Sequence, residues 1–168
     1  FVPETVGDGR ERIDIKLFPP PVEEEEEGRA PPAGYFTCGV VGLKNELNLG
    51  TLWRSAYQLG AAALFVVGTR VGGSVDAIQS SDTSKAWRSV PFVQHDDWNA
   101  FAAAAPRGAL WVAIERGGEP LETFEHPERA VYVLGSEDSG LPESVVRACH
   151  RHVALPASRS ASFNVAVA

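Results

Sequence analysis

Ala130-Val131-Tyr132-Val133-Leu134-Gly135-Ser136-Glu137-Asp138-Ser139-Gly140-Leu141-Pro142 is the stretch that decides the fold class. The unbroken apolar run Ala130–Leu134 predicts a strand buried on both faces, as in a parallel sheet. Gly135 ends the run and leaves backbone groups unshielded, as a flat nucleoside ring would need. Gly140 is expected to supply a turn with positive φ, and Pro142 occupies a tolerated first-turn position of a helix over Glu143–Cys149. Glu137 therefore stands at the carboxyl end of a buried strand, where α/β proteins bind their ligands.

The same alternation extends in both directions. Phe36–Gly42, Ala62–Val67, Ala109–Ile114 and His152–Leu155 read as further strands. Leu49–Leu59 reads as a helix with Leu49, Leu52, Trp53 and Ala56 on one face and Gly60 as its terminator. Asp96–Ala105 reads as an alanine-rich helix ended by Pro106, and Ser162 is expected to start a last helix. Apolar strands separated by helices predict an α/β domain over 35–168, a parallel sheet flanked by helices.

Residues 1–34 differ. They hold four basic and nine acidic side chains, a net of −5, with Pro19-Pro20-Pro21 and the run Glu23–Glu27. Like-charge repulsion and proline predict a flexible extension, save for a loosely alternating strand at Arg12–Phe18. Residues 35–168 hold eleven basic and thirteen acidic side chains, so the near-neutral core neither announces nor excludes a nucleic-acid partner. No apolar run approaches the ~20 residues of a membrane helix, and the charged start does not read as a signal peptide. Cys38 and Cys149 show no pairing pattern, consistent with a reduced, cytoplasmic setting. The chain opens on Phe1 and has no methionine, which reads as a portion of a longer product.

Two more polar clusters sit where a strand gives way to a helix. In Asn48-x-Gly50-x-x-x-Arg54, Asn48 is expected to cap the helix, Gly50 to admit a ligand close to the backbone, and Arg54 to reach that ligand. In Ser162-Phe163-Asn164, an asparagine inside a first turn calls for a specific hydrogen bond. Together the three clusters resemble the three motifs of the SpoU/TrmH-type branch of the SPOUT RNA 2′-O-ribose methyltransferases, over roughly Gly39 to Ala168. The stretch Asp82–Arg88 resembles a further segment of some members.

The resemblance implies a C-terminal trefoil knot and a homodimer. It also implies S-adenosylmethionine as cofactor and RNA as substrate, with tRNA favoured over rRNA by the compact size. Carried over by position, Arg54 is the catalytic arginine, Asn48 its neighbour, and Glu137 the group that holds Arg54 and the RNA. Ile114, Gly135, Leu155, Ser162 and Asn164 contact the cofactor. The chain departs from the family in stopping a turn into its last helix, and in carrying Ala157 where methionine is common.

Lys44, Arg70, Lys85 and Arg88 are candidate phosphate partners, and Trp87 reads equally as a base-stacking or a partly buried core aromatic. Cys149-His150-x-His152 is short of ligands for zinc, so no metal is expected. His95 and His126 read as surface loop positions. A dinucleotide-dependent dehydrogenase would need G-x-G-x-x-G after the first strand, which Gly39–Gly50 does not supply. A non-catalytic relative that binds RNA or a partner remains the alternative.

Overall fold

The computed structural model describes residues 4–6, 10–12, 34–72, 85–157 and 163–168. A short antiparallel pair, β1 (Glu4–Val6) and β2 (Arg10–Arg12), lies near the start. The rest of the expected strand over 12–18, the acidic run, the 82–84 part of the fourth resemblance segment and Ser162 lie outside the described residues. So do the other residues of 158–162.

Six parallel strands build the main sheet: β3 (Tyr35–Val41), β4 (Ala63–Val67), β5 (Phe92–His95), β6 (Leu110–Pro120), β7 (Arg129–Leu134) and β8 (Arg151–Ala154), in the order β5-β4-β3-β7-β6-β8. The expected parallel α/β sheet is therefore present. Sequence order runs outward from β3 to β5 on one side, while β7 flanks β3 on the other. The β3–β7 junction is thus a switch point, the place at whose carboxyl ends α/β sheets bind ligands.

Side-chain alternation divides the core into two layers. Leu64, Val66 and Leu134 point into one with Leu49, Leu52 and Trp53 of helix α1 (Glu46–Leu59). Phe65, Val67, Val131 and Val133 point into the other with Phe101 of α2 (Trp98–Ala104) and Val145 of α3 (Glu143–Ala148). Each fully buried side chain of this kind contributes roughly 1.5–3 kcal/mol. Trp53 is 2% exposed, and its indole N–H reaches the Val90 carbonyl at 2.9 Å, so it carries no unsatisfied donor into the core.

Three elements differ from expectation. Helix α1 starts at Glu46, not Leu49, because Asn45 is the cap: its extended backbone (φ −110°) lets its Oδ1 accept the Leu47 N–H at 3.0 Å. Asn48 therefore lies in the first turn, and Gly50 on the buried face. Phe92–His95 adds an edge strand whose short, half-polar pattern carried little signal. Strand β6 runs on past Ile114 to Pro120, with residues between Ile114 and Glu119 bulging out of register against Val153 of β8.

Candidate active site

The turn between β7 and α3 holds its shape by its own bonds. Ser136 N–H donates to the Gly140 carbonyl at 3.2 Å, and Gly140 N–H returns to the Ser136 carbonyl at 3.0 Å. The Ser136 and Ser139 hydroxyls meet at 2.7 Å. Gly140 has the expected positive φ, +65°. Gly135 is required for a different reason than a ligand ring: a Cβ there would fall 2.1 Å from the Gly140 carbonyl carbon. The missing side chain is replaced by the protein's own backbone.

This turn presents Glu137 to α1. Asn48 Nδ2 donates to Glu137 Oε1 at 2.5 Å, and Asn48 Oδ1 accepts from Asn164 Nδ2 at 3.3 Å. Asn164 is the pivot of the closing turn rather than a residue inside it. Its carbonyl accepts the N–H groups of Val167 and Ala168, and its Oδ1 accepts from Ala166 N–H at 2.8 Å. One directional chain of amide bonds thus ties the three motif segments together across 89 and 116 positions of sequence. Glu137 engages Asn48 rather than Arg54 as expected. Arg54 stands exposed on α1, and no hydrogen bond or ion pair holds it among the described residues.

Ile114, Gly135 and Leu155, expected to touch a cofactor, line one recess of about 110 Å³ at the strand carboxyl ends. Leu134, Phe163 and Val165 give it apolar walls, while Glu115, Arg116 and Ser136 supply polar groups. Ligand pockets usually span ~300–1,000 Å³, so a cofactor would extend beyond this recess. A larger cavity of about 530 Å³ lies along α1 and β3, lined chiefly by apolar groups such as Phe36, Cys38, Leu52 and Ala56.

The basic candidates lie nearby in varied settings. Lys44 pairs with Asp138 at 2.7 Å, and that bond raises its ammonium pKa above the ordinary value. Arg70 pairs loosely with Asp96 at 3.5 Å. Both pairs are exposed and therefore weak, so a phosphate can compete for the cations. Lys85 adopts the left-handed region (φ 56°) before a single 3₁₀ turn, Ala86–Arg88. Trp87 is half-buried against the α1 core layer with the Arg88 guanidinium over its ring at 4.9 Å, which favours the core role over base stacking.

The remaining histidines have structural partners. His150 Nδ1 accepts the Trp111 N–H at 2.9 Å, and His152 Nε2 donates to the Val146 carbonyl at 2.9 Å. His95 is not in a loop but ends β5 against Phe101, and burial lowers its pKa below the ordinary value. His126 Nδ1 meets the Tyr132 hydroxyl at 2.6 Å. Among the described residues no group of three or more His, Cys, Asp or Glu is placed to hold a metal, and no helix is long and apolar enough to cross a membrane.

Residues 36–168 match the family model described as SpoU rRNA Methylase. A solved structure concerning the 2-OH methylation of C/U34 on tRNA is 26% identical with a TM-score of 0.69, covering 80% of this chain and 89% of its own. An AdoMet-bound rRNA methyltransferase from Sinorhizobium meliloti is 24% identical with a TM-score of 0.69, covering 82% of this chain and 53% of its own. The SpoU methyltransferase AviRb from Streptomyces viridochromogenes, in complex with AdoMet, is 22% identical with a TM-score of 0.67, covering 88% and 58% respectively. This chain therefore spans just over half the length of those two, and their likeness speaks for the fold. Comparison with curated proteins gave no match.

Proposed function

The chain belongs to the SpoU rRNA Methylase family, and on that premise we propose that it transfers a methyl group from S-adenosylmethionine to a ribose 2′-hydroxyl of RNA. The observation that carries this reading is the chain of bonds from Glu137 through Asn48 to Asn164, which ties the three motif segments together beside a recess lined by neighbours of Glu137 and Asn164. The apolar walls of Ile114, Leu134 and Leu155 suit a flat purine, and the polar groups of Glu115, Arg116 and Ser136 suit a zwitterionic tail. Bound there, S-adenosylmethionine supplies a methyl group already activated on a sulfonium.

The protein's task is then to position the 2′-oxygen and to manage charge. Positioning contributes ~7–11 kcal/mol of barrier lowering. A guanidinium is a cation with no acceptor, so the part of Arg54 is to bind the phosphate beside the target ribose and stabilise negative charge developing on the 2′-oxygen. Its exposure on α1 leaves the guanidinium available to RNA. Asn48 and Glu137 fix the start of the helix that carries it, Asn164 closes the cofactor side, and Ser162 is assigned to the cofactor by its motif alone. A homodimer acting on cytoplasmic RNA is part of the proposal. The substrate is tRNA rather than rRNA, a reading supported by the resemblance to the tRNA 2-OH methylation structure.

Arg54→Ala tests the assignment. Methyl transfer to RNA should disappear while calorimetry still detects S-adenosylmethionine binding. Near-normal transfer by that variant would overturn the role of Arg54. Absence of cofactor binding by the unaltered full-length protein would favour a non-catalytic RNA- or partner-binding protein.

A further inference from the structure

We propose that Glu115 is a positioning residue for the Glu137 turn, a role that rests on the methyltransferase reading. Glu115 follows Ile114 where β6 leaves its register, and it is half-buried in the wall of the small recess. Each of its carboxylate oxygens accepts one backbone N–H. Oε2 accepts the Leu141 N–H at 3.1 Å and Oε1 accepts the Arg116 N–H at 3.0 Å.

Leu141 precedes the Pro142 cap of α3, so its N–H lies outside the helix and takes its acceptor from β6. Gly140 makes room for the carboxylate, since a Cβ there would come within 2.8 Å of Glu115 Oε2. The turn that carries Glu137 is thus held at both ends. Lys44 grips Asp138 from the β3–α1 side, and Glu115 grips Leu141 from the β6 side. The two grips differ in kind. The Lys44 pair is exposed and weak, whereas Glu115 makes charge-assisted bonds to a backbone that cannot swing away. Glu115 therefore sets where the Glu137 carboxylate meets Asn48, and it does so from within the wall of the recess.

Amide hydrogen exchange on the full chain tests the grip without reference to activity. In Glu115→Ala, exchange at residues 136–141 should accelerate at least tenfold while the β3 and β4 amides keep their protection. Glu115→Gln keeps one carbonyl acceptor and should fall between Ala and the unaltered protein. Unchanged exchange in Glu115→Ala overturns the proposal. A second arm compares methyl transfer: kcat should fall at least tenfold in Glu115→Ala with the KM for RNA unchanged, and Glu115→Gln should recover part of it. A loosened turn with kcat intact would overturn the link to the site. If the unaltered protein neither binds S-adenosylmethionine nor methylates RNA, the functional reading fails, and the exchange arm still decides whether Glu115 holds the turn.

Discussion

Two cavities among the described residues share Ile114, Leu134 and Ala168 in their walls but have opposite characters. The larger, about 530 Å³, runs toward the amino ends of β3 and β7, between α1 and the closing turn, with few convergent polar groups. The smaller, about 110 Å³, sits at the strand carboxyl ends beside a turn whose backbone and side-chain groups are tied to one another. Volume and chemistry point to different places. What distinguishes the small recess is constraint: its walls are held by bonds that reach across the chain, so groups there keep fixed positions. Preorganised groups of this kind are what a transfer reaction uses.

The largest expected effect comes from breaking that constraint from inside. Gly135→Ala would place a Cβ 2.1 Å from the Gly140 carbonyl carbon and 2.3 Å from Leu141 N, both backbone atoms. Backbone cannot rotate aside, so the turn must move, at a cost of about 3 kcal/mol. Urea unfolding should show that loss, and cofactor binding should vanish with it. A variant as stable as the parent would show that the turn is far more pliable than its bonds imply.

A smaller effect tests the bond chain itself. Asn48→Asp keeps the acceptor that meets Asn164 but replaces the donor to Glu137 with a carboxylate oxygen at 2.5 Å. The lost bond and the like charges should cost about 2 kcal/mol at neutral pH. Such a pair raises the pKa of one carboxyl, since one proton shared between them restores a donor. The penalty is therefore present above that raised pKa and is relieved as pH falls through it. Unfolding of parent and variant at pH 7 and pH 5 should show the gap narrowing; a gap that is constant or widens on acidification contradicts the direct contact.

The sheet and most helices were legible because unbroken apolar runs such as Ala130–Leu134 and Ala63–Val67 leave few alternatives. Arg116-Gly117-Gly118 looks like the end of a strand, so the continuation of β6 to Pro120 could not be read. Two asparagines three positions apart, Asn45 and Asn48, can each cap a helix, and only the backbone angles choose between them. The site was legible as residue types and not as contacts. Asn48, Glu137 and Asn164 were identified by their motifs, but which atom bonds which depends on the register of parallel strands far apart in sequence. Glu115 carried no local signal at all, because its partner Leu141 lies 26 positions away.

The mildest test concerns the large cavity. Cys38 lines it, and burial pushes the thiol up from 9.0 to about 12, so almost no thiolate exists at pH 8. Cys149, in the other core layer, is pushed up to about 11. In the unfolded chain both thiols ionise near 9.0, so unfolded molecules release protons first as pH rises. The stability that burial of the neutral thiols contributes is complete below about pH 9 and is lost as pH climbs toward 11 and 12. Iodoacetamide at pH 8 should therefore label Cys38 far more slowly than an exposed cysteine, with Cys149→Ser used to isolate the signal. Rapid labelling would mean that the larger cavity opens to water on its own. The contrast between a fixed small recess and a pliable large one would then be sharper than the static structure shows.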